Sequence, residues 1–590
     1  GGGAIGAYFL LKEESGIPKA FGENNILTIA PSIVTGCAVS GVSRCSAVAI
    51  SPLTGAVGEG QAGGSIGPAI KKAGYDAIVI TGRAKKLSYL FVSNDTVEVR
   101  DAIGLCGKSV GDVYDALNEQ LGGKNLSIIQ CGPAGEKKVR FASLMVDRND
   151  VVGRTGLGAV MGDKNLRAVA VKGESKVDMA DPEGINALKS TAKKNLETAG
   201  FPGILKRSGT AGVVAIQASG GNLATHNFSE GHHQDNKKLD ASSFEEELGA
   251  GKSTCFGCIV SCRKRVAADA PYKFTNKLGA PEFETLSLLG SNLDIFDAAA
   301  VCKANDMCNQ YGLDTITMGN LAAYYLETLD KGLVPKEFID ENVKGFGSPE
   351  TLFHLIDQVG CRDGVGDLLA EGFAAVIEKF GSETSEFAIH VKGQGFPAHM
   401  PQVKPSQAIM YAVSPTGAEH MTSEHDWFLG GGGEDGKGLG ITGKGDAGST
   451  TLSKVQMTVY SQYFYCMLDT LTLCMFVWGP GNLFSYRDLE DLVNSMTGWK
   501  CTLWELMKVG ERKVNMMRVI NQRLGFSRKD DTLPERMFKP LSAGPSKGKH
   551  VDRERFPSML DEYYALMGWD IGSGNPSKGK LMELGLDWLI

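Results

Sequence analysis

No uninterrupted apolar run in these 590 residues reaches the length of about 18 residues that a membrane span needs, so no transmembrane helix is expected. Charge of one sign is missing too. The 61 basic and 68 acidic residues leave a formal charge of −7, which argues against a general electrostatic hold on nucleic acid; small molecules or proteins are the expected partners. Thirteen cysteines in a chain this long form no dense disulfide framework, and clustered reduced thiols belong to a reducing compartment. A cytoplasmic location follows as the expectation. No charged n-region precedes an apolar h-region, and Gly1-Gly2-Gly3 stands where a Met would begin a complete chain, so the sequence reads as a fragment lacking its true start. The glycine-rich stretch from Gly153 to Gly162 lacks the dinucleotide fingerprint, since Gly156 to Gly162 runs Gly-x-Gly-x-x-x-Gly, and no Walker Lys-Ser/Thr follows it.

What is present is glycine, 76 residues of it, the residue that lets backbone approach a bulky ligand closely. The length suggests three or four domains at roughly 150 residues each. Up to about residue 175 the texture is strand-rich: β-branched runs at 77–81 and 166–171, and a hairpin from Leu87–Ser93 to Thr96–Arg100 around Asn94-Asp95. A polar connector, 173–180, then leads to Asp181-Pro182, an N-cap residue before Pro at the first helical position. Ser348-Pro349 repeats that start signal, and the segment to Val359 has helical apolar spacing. A further break is placed at 385–400 by Gly393, Gly395, Pro397 and Pro401, and the ten glycines of 429–449 predict a mobile loop. The fold class is therefore α+β: a β-rich N-terminal domain (1–178) and two mainly helical domains (179–388 and 389–590).

The chemistry concentrates in Cys255-Phe-Gly-Cys258-Ile-Val-Ser-Cys262. Three soft thiolates within eight residues suit an iron-sulfur cluster, and a [4Fe-4S] cluster takes four Cys ligands, so a fourth must come from elsewhere. A tetrahedral zinc site also uses Cys-x2-Cys, but no second pair lies nearby. The radical S-adenosylmethionine triplet has the reverse spacing order, and three unrelated buried Cys are the bland alternative. Spacing alone does not choose the fourth ligand among the ten other cysteines.

A wider set of landmarks follows the triplet in order: Gly279-Ala280-Pro281-Glu282-Phe283-Glu284-Thr285, Gly312-Leu313-Asp314-Thr315-Ile316, and Asp469-Thr470-Leu471-Thr472-Leu473-Cys474. Before it stand Ser51-Pro52-Leu53-Thr54-Gly55, Ala73-Gly74-Tyr75-Asp76 and the run Gly153 to Gly162; near the end stand Tyr563-Tyr564 and Gly568-Trp569-Asp570. Together they resemble the tungsten-containing aldehyde ferredoxin oxidoreductase family over nearly the full length.

The resemblance implies a fourth cluster ligand at Cys474 and two pyranopterins sharing one tungsten (molybdenum being a conceivable substitute), held by motifs that fall on Asn309 to Asp314 and on Asp469 to Cys474. Both motifs depart from the family pattern: Asn309 replaces an Asp, and Thr472 a Gly. Standing alone, Asp314 and Asp469 would read as helix or turn caps. The resemblance further places Arg154, Thr155 and Gly156 at the pterin phosphates, and Arg44, Gln61 and Gly63 along the cofactor and its bridging Mg2+, although several of these glycines also fit simple turns. Glu284 is implied as the general base, its apolar surroundings predicting a raised pKa, and His420 as the proton donor, with His425 a competitor. An iron site bridging subunits in some members would need residues that here are Lys303 and Asp306, so that site is not expected; a homo-oligomer would use other contacts. The implied reaction is oxidation of an aldehyde to a carboxylic acid, or the reverse, with electrons leaving through the cluster to ferredoxin or an iron-sulfur partner subunit. Arg263-Lys264-Arg265 offers a docking patch for an acidic carrier, or an ordinary solvated face. Two alternatives remain: the tungsten subunit of an aromatic acyl-CoA reductase, and a non-catalytic cluster-bearing electron-transfer subunit.

Overall fold

The computed structural model describes all residues except 14, 15, 276, 431, 432 and 444, and at 430, 433 and 434 the backbone path alone. The strand-rich part contains β1 (Leu27–Ala30), β2 (Cys45–Ile50), β3 (Val57–Ala62), β4 (Ile78–Ile80), β5 (Ser88–Ser93), β6 (Val97–Asp101), β7 (Leu126–Cys131), β8 (Leu144–Val146), β9 (Asp150–Val152) and β10 (Leu166–Lys172). They form two sheets, an antiparallel one in the order β3-β2-β1-β4 and a second in the order β6-β5-β10-β7-β8-β9. In the second, β5 and β10 run parallel and the other neighbours antiparallel. The hairpin around Asn94-Asp95 is β5-β6, with Ser88 opposite Asp101.

Strand β2 is buried along its whole length, because it serves two cores. Side chains alternate across a strand. Cys45, Ala47 and Ala49 therefore join the core containing Ile129, Leu144 and Val169 of the second sheet. Val48 and Ile50 point the other way, into a core with Ala7 and Leu10 of helix Gly2–Lys12 and Met516 and Ile520 of helix Leu503–Arg523. That is why the strand shows no polar alternation.

Helices dominate after residue 180, as the α+β reading expects. The start signals act as predicted. The Asp181 carboxylate accepts from the N–H groups of Glu183 and Gly184 at 3.1 and 3.0 Å, opening helix Pro182–Leu196. Ser348 caps helix Pro349–Cys361 through the Thr351 N–H at 3.2 Å. A large core built on Tyr324, Leu355, Phe373, Val459 and Tyr563 unites the helices.

The stretch 429–449 differs from the predicted loop. Short helices Trp427–Gly430 and Gly433–Gly438 form within it and next to it, anchored by Phe428, Leu439 and Ile441 in a core with Phe464 and Trp478; residues 431, 432 and 444 of that call lie outside the described residues. Among the described residues no helix is long and apolar enough to cross a membrane.

Candidate functional site

The cysteine triplet forms the connection between β11 (Gly249–Ser253) and β12 (Arg263–Val266), which pair antiparallel. This connection rests on the first sheet's loops. Phe256 N–H donates to the Gly64 carbonyl at 3.2 Å, Ile259 N–H to Ser40 Oγ at 3.2 Å, and a Cβ on Gly63 would lie 2.7 Å from Cys255 Sγ. Cys474 arrives from the far side at the start of helix Met475–Trp478, tied by its N–H to the Gly41 carbonyl at 2.9 Å. Burial pushes the Cys255 thiol up to about 11 and raises Cys262 and Cys474 as well; each is raised further by others of the four sulfurs. Thiols raised in this way are poor thiolates until cations offset the cost. A single tetrahedral Zn2+ at about 2.3 Å from each sulfur would hold them roughly 3.8 Å apart. No three of these sulfurs lie within 4.8 Å of one another, so they are not drawn together as around a single zinc ion.

The basic run after the triplet is half-buried, and two of its three side chains have partners. Arg263 is paired with buried Asp150, and Lys264 Nζ donates to the Lys206 carbonyl at 2.9 Å.

Arg44 links the thiols to a cavity. Its positive charge opposes the rise of the Cys474 pKa, and its Nε and Nη2 donate to Gln61 Oε1 and O at 3.3 and 3.2 Å; Gln61 Nε2 donates in turn to the Asp469 carbonyl at 3.0 Å. The cavity holds about 990 Å³ of atom-free space, part of it open to solvent, between β3, the 153–154 turn, the 414–422 loop and the two long helices. Arg44, Gln61, Arg154, His420 and Asp469 line it, joined by Glu59 and Lys513. Lys513 Nζ lies 2.7 Å from Glu59 Oε2 and 3.1 Å from Asp469 Oδ2. Burial disfavours its charge, yet these two carboxylates hold its pKa above the ordinary lysine value. Arg154 lies 3.2 Å by Nε from Asp314 and donates by Nη2 to the Gly395 carbonyl at 2.6 Å, while its buried Nη1 has no protein acceptor.

Other predicted cofactor residues stand behind this wall. Thr155 Oγ1 bonds the Arg154 carbonyl at 2.7 Å. Gly156, at φ 73°, has the Arg140 carbonyl 1.9 Å from where a Cβ would sit, so backbone packing demands that glycine. Gly63 abuts Cys255. Asn309 donates to the Leu278 carbonyl at 3.2 Å. Asp314 caps helix Thr315–Asp330 through Ile316 N–H and reaches the cavity only through Arg154. Asp469 sits in the last turn of helix Leu452–Thr470, so it is no N-cap.

Beside the cavity, Glu284 projects from the first turn of helix Phe283–Leu288. Its Oε2 accepts from Ala398 N–H at 2.7 Å, and its Oε1 lies 3.4 Å from Nε2 of both His399 and His420. His420 Nδ1 lies 3.4 Å from Glu419 Oε1. Burial works against charge on His420, but Glu284 and Glu419 outweigh it and raise its pKa. Glu419 is also disfavoured as an anion by burial, yet His420 and Arg154 hold it down to about 2. His420 thus stands between two carboxylates that favour its protonated form.

His399 is of the other kind. Met400 N–H donates to Asn222 Oδ1 at 2.7 Å, so the Asn222 amide nitrogen is the donor to His399 Nδ1 at 3.0 Å. The ring proton then sits on Nε2, facing Glu284. Glu284, His399 and His420 bring their donor atoms within 4.8 Å of one another, but a protonated Nε2 offers no lone pair to a metal, and the trio is better described as a proton-holding group.

His399, Glu419 and Lys513 escaped the sequence reading. His399 lies inside the Gly/Pro cluster taken for a break, and Lys513 lies mid-helix with no local motif around it; the visible signal was a His flanked by Pro397 and Pro401.

Comparison with known proteins agrees. The models for the aldehyde ferredoxin oxidoreductase N-terminal domain and for its domains 2 and 3 match residues 1–173 and 186–586. A tungsten-containing aldehyde ferredoxin oxidoreductase of Pyrococcus abyssi is 33% identical over 99% of this chain and 94% of its own length. An aliphatic sulfonate oxidoreductase, WOR-like subunit, of Pyrococcus furiosus is 30% identical over 99% and 92%. Among solved structures, the active-site complex BamBC of benzoyl-coenzyme A reductase with 1,5-dienoyl-CoA shares the fold, with a TM-score of 0.85 at 22% identity over 100% of this chain and 93% of that one. The chain belongs to the aldehyde ferredoxin oxidoreductase family.

Proposed function

We propose that this protein is a tungstopterin oxidoreductase that oxidises an aldehyde to a carboxylic acid, or runs the reverse, and passes the electrons through a [4Fe-4S] cluster to ferredoxin or an iron-sulfur partner subunit. The observation that carries this is the placement of Glu284 between the imidazoles of His399 and His420, at the edge of a cavity whose Arg44 acts on the Cys474 thiol. In the division proposed here (1–178, 179–388 and 389–590), the thiol set draws on the second and third domains and is seated on the first.

Cys255, Cys258, Cys262 and Cys474 would hold the cluster. Arg154, with a buried N–H lacking a protein acceptor, suits a pterin phosphate; Arg44, Gln61 and Asp469 would meet the rest of the cofactor and its Mg2+. When bound, the tungsten group supplies the two-electron acceptor for RCHO + H2O → RCOOH + 2 H+ + 2 e−. The protein's part is proton handling. Glu284 takes a proton from the attacking water, and the His420 imidazolium donates to the carbonyl oxygen as negative charge develops there. Glu419 keeps His420 charged for that task.

Metal analysis of anaerobically purified protein, followed by aldehyde-dependent viologen reduction, tests the proposal. Stoichiometric tungsten with four irons and aldehyde-dependent turnover is the expected result; absence of both tungsten and molybdenum would overturn it.

A further inference from the structure

Behind Glu284 lies a buried ammonium that the proposed reaction does not use. Lys404 Nζ stands 3.3 Å from His399 Nδ1 and 3.1 Å from His425 Nδ1, and among the described residues it forms no ion pair with a carboxylate. An ammonium has donors and no acceptor, so both ring nitrogens must accept. His425 is constrained from its other side as well: its Nε2 faces the His420 carbonyl at 2.6 Å, which can only accept. Each ring therefore carries one proton, on Nε2, and a second proton on either Nδ1 would point at a cation. The remaining neighbours do not change this. Asp426 is engaged by Lys454, Glu424 by the Tyr465 hydroxyl at 2.7 Å, and Tyr411 reaches His399 only through the backbone carbonyl.

We propose that Lys404 is a positioning residue that keeps His399 and His425 neutral, so that of the three histidines grouped beside Glu284 His420 alone carries the transferable proton. Burial, followed by the Lys404 charge, lowers the pKa of both rings well below the ordinary histidine value, in agreement with the geometry. The same burial lowers Lys404 itself to about 8, with Asp426, Glu424 and Glu284 opposing the shift. The consequence is directional. A second imidazolium at His399 would place another charged donor 3.4 Å from Glu284 Oε1 and compete with water for the base.

This rests on Glu284 and His420 being the acid-base pair, and the test separates the two ideas. In protein with 15N-labelled histidine, with resonances assigned by single His→Gln variants, His399 and His425 stay neutral from pH 8 down to pH 5 in the wild type. In K404M at least one of them titrates inside that range, whereas in K404R, which keeps a cation and donors, neither does. These readings need no turnover. In the active enzyme, K404M shifts the acid limb of kcat/KM upward by about one pH unit, about tenfold in rate on that limb, and K404R restores it. Unchanged titrations in K404M with intact cluster absorbance would overturn the proposal; so would K404R behaving as K404M, since shape rather than charge would then matter. If instead the titrations change as expected while H420N keeps full activity, the acid-base reading fails and the Lys404 assignment stands.

Discussion

Glu284 Oε1 lies 3.4 Å from Nε2 of His399 and 3.4 Å from Nε2 of His420, two imidazoles that a neighbouring amide on one side and a neighbouring carboxylate on the other drive to different protonation states. A base flanked by one neutral donor and one charged donor has a defined direction for its proton. Removing the base or the charged donor should therefore act on turnover: E284Q and H420N are each expected to lower kcat by about 10²–10⁴, with a smaller change in KM and unchanged iron content, measured as aldehyde-dependent viologen reduction.

The Glu419 carboxylate raises the His420 pKa, so E419Q should lower it. The alkaline limb of kcat, where the imidazolium is lost, then moves to lower pH by about one unit or more. The sign for stability is the same. A folded pKa above the ordinary 6.5 means that the contribution of His420 is complete below that value and is lost as pH rises through the raised pKa. Thermal melts between pH 6 and 9 should fall more steeply for the wild type than for E419Q.

Lys513 has a side-chain exposure of 1% and two carboxylates at 2.7 and 3.1 Å. Deleting one member of a buried charge set costs about 3–5 kcal/mol, because the others remain uncompensated. K513M should lower the melting temperature, and adding E59Q and D469N should recover part of the loss, since the stranded anions are then removed. Failure of the triple variant to recover any stability would mean that packing, and not charge, is what Lys513 supplies.

C474S should lose iron and the visible cluster absorbance together with stability, because the thiol set joins two segments distant in sequence across the first sheet's loops. C106S is the control: Cys106 is exposed and bonds Glu136 at 3.4 Å. Iron loss confined to C474S, C255S, C258S and C262S is the expected pattern.

R154M removes the buried guanidinium whose Nη1 has no protein acceptor. It also leaves Asp314 without its ion pair. Tungsten and pterin content should fall severalfold while iron is retained, read by elemental analysis on the same sample.

Local chemistry was readable in the sequence wherever one short segment decides the outcome. Asp181-Pro182 and Ser348-Pro349 start helices because a side-chain oxygen meets N–H groups two or three residues on, and the β5-β6 hairpin closes around its own turn. The triplet's spacing pointed to a cluster for the same reason. Residues assembled from several elements were not readable this way. His399, Glu419 and Lys404 acquire their roles from atoms that only the fold brings near them, and Cys474 was picked out by resemblance, since no spacing rule connects it to Cys262. The glycines of 153–162 have a packing reason that only the fold displays: Gly156 and Gly162 meet the carbonyls of Arg140 and Gly135 where a Cβ would be, while Gly153 and Arg154 reach the cavity.

Strand β2 pairs Ser46 with Gln61 and Val48 with Glu59 on β3, and it presents opposite parities to two different cores. A slip of one residue would exchange those faces, placing Val48 and Ile50 among the side chains of the second sheet and the small residues against the helices. It would also carry Arg44 past Gln61 and withdraw the Ser46 hydroxyl from Glu59. Two hydrophobic interiors thus veto the same error, and the alignment of a basic and an acidic side chain around the cavity is fixed by the pleat of six residues, none of which touches the cavity itself.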